Sequence, residues 1–397
     1  MIESYQLLAT HKPAVVVHAT SPADIQDAVR QGGPIAVHAT GHGMAAPLDG
    51  TGVLICTQKM TSVRVSAVER TAWIEAGARW RHVIEAAAPH GLAPLSGSLP
   101  SVGAVSYTLG GGIGLMARRY GFAADHVRRI DLVTADGRLR QVTQASDPDL
   151  FWALRGGGGN FGVVTGMEID LMPVDRIYGG ALVFDLKENP EIASTWYQWT
   201  SDVPEEMTSA CSMMTFPDGR QIAQIQIAYL GTEQDGDELL RPLGQGLKEV
   251  PYAESEIVFN EPDQPHPYRG ESILLKDLDP ARLTPVPAGD DMCVIGLRHL
   301  GGALAREPKI SNAVGHRTAG YALGVLSPAD TDRVRAVHSR VLNSWSDQTI
   351  GRCLNFTFGA ITAEQVAAAF EPQDFHRLCA IRAAVDPAGI FRANFPL

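Results

Sequence analysis

An uncharged, glycine-rich stretch between Ser96 and Gly114 constrains this chain more than any other part of its sequence. It lies in a run without charged residues from 91 to 117, which is long enough to cross a membrane. Pro94 and Pro100 argue against a membrane helix, because proline removes a backbone donor that lipid cannot replace. Glycine has no Cβ, so such a stretch allows backbone to lie against a large ligand. The alternative is a packed crossover between two elements, and the stretch alone favours neither.

Length, charge and cysteine content limit the class of protein. A chain of 397 residues predicts two domains with substantial cores. With a net charge of −11 and no cluster of Lys or Arg, we do not expect it to bind nucleic acid or an anionic membrane surface. The N-terminus lacks the basic and apolar regions of a secretory signal. The five cysteines are scattered, which predicts reduced thiols in a cytoplasm rather than a disulfide framework.

The chain opens with a strand, a helix and a second strand. Residues 13–17 read as a short buried strand, Ser21 caps a helix through Arg30, and residues 34–38 form the next strand. The turn at 39–44 follows directly and contains two glycines. Such a turn directs successive backbone N–H groups into one space, which suits a phosphate.

His42 lies within that turn. Taken alone, a histidine in a loop is ordinarily a structural residue that forms a hydrogen bond. His38 and His42 are four residues apart, a zinc spacing when it falls on a helix, but Gly41 and Gly43 disfavour a helix here. We therefore predict no metal site.

A second glycine-rich segment formally matches the dinucleotide fingerprint G-x-G-x-x-G at Gly157, Gly159 and Gly162. That fingerprint requires a strand before it and a helix after it. Here a capped helix at 147–154 precedes the glycines and an alternating strand at 163–171 follows them. The Rossmann interpretation therefore fails on context.

From Pro173 onward the pattern predicts a second, α+β domain with one large antiparallel sheet. Alternating strands at 181–184 and 221–229 are interleaved with helices at 192–200 and 331–344. We expect the apolar tail to be tied down rather than frayed. One set of large side chains suits either an apolar pocket or a core: Trp196, Trp199, Met213, Met214, Tyr229 and Trp345.

Three segments in this order resemble the FAD-linked oxidoreductases of the vanillyl-alcohol oxidase and p-cresol methylhydroxylase family, in the berberine-bridge-enzyme-like branch. They are residues 40–43, residues 97–121 and residues 149–164, with a C-terminal segment at 374–394 that looks like the family's closing part. The resemblance implies an α+β fold with a two-part, PCMH-type FAD-binding domain and an α+β cap domain. The implied boundaries are 1–172 and 361–397 for the FAD domain and 173–360 for the substrate domain.

The resemblance also implies how FAD is held. His42 stands where the family attaches the flavin to a histidine, whereas Leu99 stands where many relatives carry a second, cysteinyl attachment, so we expect one covalent link only. The remaining residues implied to contact FAD are Thr40, Gly41, Gly43, Met44, Val102, Gly103, Ser106, Gly110, Gly111, Gly112, Gly114, Gly162, Val164 and Asn394.

The base that takes the substrate proton is less defined. Relatives often carry a tyrosine late in the cap domain, and Phe356 stands at that place here. The candidates are Tyr321, His299 and Tyr107, although a hydrogen-bonded structural role is individually the better interpretation of each. A tyrosine base would need positive charge nearby, as from Arg317 or His316, to lower its pKa.

Three functions follow from these observations. The first is an FAD-dependent oxidase or dehydrogenase that takes a hydride from an alcohol, amine or activated C–H of a mid-sized, largely apolar secondary metabolite. Oxygen would reoxidise the flavin, and the small Val102 matches a position that controls oxygen access in relatives. The second is a flavin-bound cyclase or isomerase without net oxidation, consistent with the loss of the tyrosine at Phe356. The third is a fold retained as a binding protein, which the intact glycine-rich segments disfavour.

Overall fold

The computed structural model describes residues 4–43, 47–287, 289 and 291–397, and three sheets organise them. The first sheet is parallel and comprises β1 (Val15–His18), β2 (Ile35–His38), β3 (Val53–Cys56) and β17 (Phe391–Arg392). Its order is β1-β3-β2-β17, so the last strand of the chain pairs with the second. The predicted strand at 13–17 is present as β1, but it is a largely exposed edge strand rather than a buried one, because it pairs with β3 on one side only.

The second sheet is antiparallel and comprises β4 (Val63–Ser66), β5 (Thr71–Glu75), β6 (Val127–Val133), β7 (Leu139–Val142) and β8 (Val163–Asp170). Its strand order is β4-β5-β8-β6-β7. The helices of the N-terminal part are α1 (Pro22–Arg30), α2 (Trp80–Ala87), α3 (Ala104–Leu109), α4 (Ala117–Tyr120) and α5 (Pro148–Leu154). The predicted start of α1 is confirmed, since Ser21 and Asp24 form a reciprocal capping box.

The third sheet is antiparallel and has eight strands. They are β9 (Arg176–Asp185), β10 (Met207–Thr215), β11 (Gln221–Tyr229), β12 (Lys248–Pro251), β13 (Arg269–Leu275), β14 (Cys293–His299), β15 (Tyr321–Ser327) and β16 (Thr349–Arg352). Their order is β12-β9-β11-β10-β14-β15-β13-β16. The remaining helices are α6 (Ile192–Thr200), α7 (Glu233–Leu240), α8 (Asp332–Asn343), α9 (Ala363–Ala367) and α10 (Pro372–Val385). The predicted α+β class with a large antiparallel sheet is confirmed.

One face of the eight-stranded sheet, which we call the outer face, packs on α6 and α8. This core contains five of the six large side chains for which the sequence left two readings: Trp196, Trp199, Met213, Tyr229 and Trp345. Only Met214 points to the opposite side. Strand alternation decides the outcome, because Met213 and Met214 must face opposite ways.

The C-terminal tail is held in place, as expected. Besides the pairing of β17 with β2, the Asp386 carboxylate accepts hydrogen bonds from the backbone N–H groups of Ile390 and Phe391, at 2.9 and 3.0 Å. The Asn160 amide donates to the Phe395 carbonyl at 3.1 Å. The tail is therefore fixed to the N-terminal sheets. Within the described residues, no helix combines the length and apolarity needed to cross a membrane.

Candidate active site

A cavity of about 1380 Å³ lies between the N-terminal sheets and the eight-stranded sheet. Its walls come from the turn after β2, the glycine-rich stretch around α3, the segment 156–164, the C-terminal tail and one face of the large sheet. We call that sheet face the inner face. Pockets for single small ligands enclose roughly 300–1,000 Å³, so this space can take a cofactor together with a second molecule.

The turn after β2 forms the first wall. Gly41 has a φ of +77°, and a Cβ there would lie 2.8 Å from Ser4 Cα, so only glycine fits. A Cβ on Gly43 would lie 2.5 Å from the Asn394 amide nitrogen, which shows that the tail closes directly over this turn. Thr40, Gly41, Gly43 and Asn394 all line the cavity. Met44 lies outside the described residues.

His42 is held between two side chains in the same wall. Its ring stacks on Tyr5 with centroids 3.7 Å apart, and its Nε2 lies 3.2 Å from Ser101 Oγ. Burial, followed by the nearby Arg79, lowers the pKa of His42 to about 3. The imidazole is therefore neutral at pH 7, which is the form with a lone pair available for bond formation.

The glycine-rich stretch is divided between the cavity and the protein interior. Val102, Ser106 and Gly110 line the cavity. By contrast, Gly112 and Gly114 form a slot around the Tyr107 ring: a Cβ on Gly112 would lie 2.8 Å from Tyr107 Cδ1, and one on Gly114 would lie 3.0 Å from its hydroxyl.

Two further predicted glycines also face protein. A Cβ on Gly111 would meet Val314 at 3.2 Å, and one on Gly103 would meet Ser106 Oγ at 3.0 Å. The structure therefore does not bring Gly103, Gly111, Gly112 or Gly114 to the cavity surface. Four of the six glycines between Ser96 and Gly114 therefore serve packing, as the alternative interpretation of this stretch predicts.

The residues predicted to contact the nucleotide half of FAD lie where the first two sheets approach the tail. Gly162 and Val164 line the cavity at the start of β8, together with Asn160 and Phe391. A Cβ on Gly162 would lie 2.6 Å from the Val133 carbonyl, so glycine permits close contact between β8 and β6 at this point.

Two of the three candidate bases lie away from the cavity. His299 and Tyr321 belong to the outer face, where their rings stack with centroids 5.5 Å apart. His299 Nε2 lies 2.8 Å from an Arg118 nitrogen, and the Tyr321 hydroxyl lies 2.6 Å from Thr200 Oγ1. The sheet separates both side chains from the cavity, so the prediction that one of them contacts substrate does not fit this placement. Arg317, expected near a tyrosine, instead pairs with Asp125 at 2.6 Å.

Their protonation behaviour is that of structural residues. Burial and the adjacent Arg118 lower the pKa of His299 to about 3, and burial raises the pKa of Tyr321. Tyr107 does line the cavity, but its hydroxyl is buried and has no hydrogen-bond partner among the described residues. Burial raises the pKa of Tyr107 well above its ordinary value, so its phenol stays protonated.

The inner face carries small and neutral polar side chains. One row of paired residues crosses five strands: Gln224, Ser212, Gly296, Gly324 and Ser272. The next row contains Gln226, Ala210, Arg298 and Ala322. Small residues here keep the cavity open, and Arg298 is the large exception.

Sequence reasoning did not identify Gln224, Gln226 or Arg298 as site residues. The alternation of Gln with Ile and Ala along β11 was visible, but it equally describes a strand with one solvated face. Which face meets the cavity is defined only by how the eight-stranded sheet packs against the N-terminal sheets.

Comparison with known proteins agrees with this architecture. A family of FAD binding domains matches residues 13–143. The (R)-6-hydroxynicotine oxidase of Paenarthrobacter nicotinovorans is 26% identical over 97% of this chain and 91% of its own length. The berberine bridge enzyme-like D-1 protein of Nicotiana tabacum is 30% identical over 64% of this chain and 49% of its own length. The solved structure of 6-hydroxy-D-nicotine oxidase from Arthrobacter nicotinovorans shares the fold, with a TM-score of 0.86 at 20% identity, covering 99% of this chain and 93% of that one.

Proposed function

Since this chain belongs to the FAD-linked oxidoreductases of the vanillyl-alcohol oxidase and p-cresol methylhydroxylase family, we propose that it is an oxidase for a mid-sized, largely apolar molecule. The substrate would lose a hydride and a proton from an alcohol, amine or activated C–H group. Oxygen would take up the two electrons with two protons and leave as hydrogen peroxide. The observation that carries this proposal is one cavity walled by a glycine turn with a neutral histidine and by a sheet face of small side chains.

The residues of the first wall fit FAD. The backbone of the turn at Gly41 and Gly43 lies at the cavity surface, where its N–H groups could meet a pyrophosphate, and Asn394 closes over it. Val102, Ser106 and Gly110 would lie along the flavin, and Gly162 and Val164 along the nucleotide. FAD, when bound, supplies the acceptor for the substrate's hydride.

His42 is proposed as the covalent anchor. Its neutral imidazole is the nucleophilic form, and Tyr5 fixes the ring plane by stacking. If Ser101 accepts from Nε2–H, the lone pair is on Nδ1, and this nitrogen would form the bond. No second anchor is proposed: all five cysteines are among the described residues, and none of them lines the cavity.

The second wall would hold the substrate. Apolar side chains around the inner face include Met214, Phe259, Val294, Leu326 and Phe358, and all of them line the cavity. Such a surface suits a largely apolar molecule, because its burial is favourable by about 25 cal/mol per Å². Tyr107 is not proposed as the base, because its buried phenol stays protonated.

Anaerobic and aerobic spectra test the oxidase proposal. We expect the purified protein to be yellow, to bleach when a substrate is added without oxygen, and to recover on admission of oxygen with release of peroxide. A colourless protein that takes up no added FAD would overturn the proposal. Val102→Ile should slow the reoxidation by oxygen and leave the bleaching rate unchanged, if Val102 controls oxygen access.

A cyclase or isomerase is the second candidate, supported by Phe356. This residue lines the cavity and carries no hydroxyl where relatives have a tyrosine. Product formation without oxygen consumption or peroxide would favour this candidate over the oxidase.

We also propose a reducing, cytoplasmic location. The cysteines are unpaired, and four of them are buried. Burial raises the pKa of Cys211 to about 12 and that of Cys353 to about 11, so these thiols are inert. Fractionation of the producing cells tests this location, and recovery of the protein outside the cytoplasm would contradict it.

A further inference from the structure

Arg298 is a cationic side chain in the cavity wall without a counterion. Among the described residues, its guanidinium has no hydrogen bond or ion pair, and its cross-strand neighbours on the inner face are Ala210 and Ala322. The buried arginines Arg118, Arg155 and Arg269 do have hydrogen-bond partners, and Arg269 pairs with Glu271 at 2.9 Å. Arg298 is half-buried in this wall, and a cation partly withdrawn from water without a partner costs free energy that a bound anion would offset.

Two phenyl rings fix the position of the guanidinium. Its central carbon lies 4.5 Å from the centre of the Phe259 ring and 4.4 Å from that of Phe356. Contact with aromatic faces restricts the plane of the guanidinium and leaves its edge, with the N–H donors, free. A planar edge of this kind binds a carboxylate through two parallel hydrogen bonds.

The surrounding charges do not neutralise Arg298. Glu261 is the acidic group that acts on it, but this residue is exposed and forms no ion pair with it. The other titratable neighbours, Tyr107 and Cys353, are uncharged because burial raises both pKa values. Burial lowers the pKa of Arg298 itself, yet a guanidinium remains charged at neutral pH.

We propose that Arg298 binds the carboxylate of an aromatic acid, and that such acids are the substrate class of this cavity. The phenyl rings of Phe259 and Phe356 and the apolar inner face would receive the aromatic part, while the guanidinium edge receives the anion. This assignment rests on the proposed function, since it concerns the same cavity. A second possible source of negative charge is the reduced flavin, and the test separates the two.

Calorimetric titration of the holoprotein with benzoate and with benzamide tests the proposal. The two probes have nearly the same shape, and only benzoate is charged. We expect wild type to bind benzoate more tightly than benzamide, and Arg298→Gln to weaken benzoate binding roughly 10- to 100-fold with benzamide binding unchanged. Arg220→Gln is the matched control, because Arg220 also lies on a phenyl ring, that of Phe216 at 4.3 Å, but outside the cavity.

Several results would overturn the proposal. The first is that wild type binds benzoate and benzamide with the same affinity. The second is that Arg298→Gln binds benzoate as tightly as wild type does. The third is that Arg298→Gln loses affinity for benzoate and for benzamide to the same extent. A large fall in the flavin midpoint potential of Arg298→Gln with unchanged benzoate binding would assign the charge to the cofactor instead. If Arg298→Gln does not fold, the benzoate affinity of Arg298→Lys and the preference of wild type for benzoate over benzamide test the proposal instead. Binding is measured whether or not any substrate bleaches the flavin, so failure here is distinct from failure of the oxidase proposal.

Discussion

The two faces of the eight-stranded sheet are built from the same strands but differ in side-chain size and polarity. On the outer face, Leu297 and Leu323 pack with Trp196 and Trp345 in a continuous core. On the inner face, the row through Ser212, Gly296 and Gly324 leaves open space. Because successive side chains of a strand point to opposite faces, residues of the outer face can stabilise the fold while residues of the inner face can be substituted to suit a ligand.

The largest difference between the two faces should be in the loss of unfolding free energy when one side chain is removed from each. Trp196 is fully buried and its indole N–H donates to Ser209 Oγ at 3.1 Å, so Trp196→Ala should lower the free energy of unfolding by about 3–5 kcal/mol. Gln224→Ala on the inner face should cost less than about 1 kcal/mol, because no hydrogen bond to the Gln224 side chain is found among the described residues. Urea unfolding measures both, and equal losses would remove the distinction between the faces.

Part of the acid sensitivity of the fold should come from His299 on the outer face, alongside the buried His42 and His338, whose pKa values are lowered too. The pKa of His299 is about 3 in the folded protein and about 6.5 in an unfolded chain, so between these pH values the unfolded state binds the extra proton. Stability from this group is therefore present above pH 6.5 and is lost as the pH falls toward 3, at up to about 1.4 kcal/mol per pH unit.

Unfolding curves across that pH range check the contribution of His299. His299→Gln should have a shallower pH dependence than wild type, whereas His376→Gln, on an exposed part of α10, should follow wild type. An unchanged slope in His299→Gln would show that this histidine does not titrate as described.

Removing one outer-face hydroxyl should have a smaller effect. Tyr321→Phe loses the hydrogen bond to Thr200 and should lower the free energy of unfolding by about 0.5–1.5 kcal/mol, with kcat unchanged. Stopped-flow bleaching and urea unfolding measure the two quantities separately. A large fall in kcat with intact stability would restore Tyr321 as the base.

The smallest expected change in the free energy of unfolding comes from adding a Cβ to the open space beside the inner face. A Cβ on Gly324 would meet nothing closer than 3.9 Å, so Gly324→Ala should raise the free energy of unfolding by about 0.5–1 kcal/mol by restricting the unfolded chain. Gly179→Ala in β9 is the control: its Cβ would collide with the Ile227 carbonyl, so it should destabilise. Destabilisation by Gly324→Ala would show that the inner face is packed rather than open.

Local sequence signals predicted the secondary structure well and the site only in part. The capping box at Ser21 and the alternation at 221–229 depend on neighbouring residues, and both elements were found. Which side of a strand meets the cavity depends on how distant segments pack, so Tyr321 and His299 could not be distinguished from Arg298.

The glycine-rich stretch shows the same limit. Gly110 lines the cavity while Gly112 accommodates Tyr107, although both satisfy the same requirement for a missing Cβ. The sequence marks where backbone must approach something closely, but the partner is defined only by the fold.

The identity of the anchor tests most directly the central claim that the glycine turn and the inner face enclose a flavin held by His42. The holoprotein is precipitated with acid, and its tryptic peptides are examined by mass spectrometry. We predict that the yellow colour stays with the wild-type pellet, that the peptide containing His42 carries the flavin, and that His42→Ala releases the colour into the supernatant. Release from wild type, or retention of the colour by His42→Ala, would contradict the account.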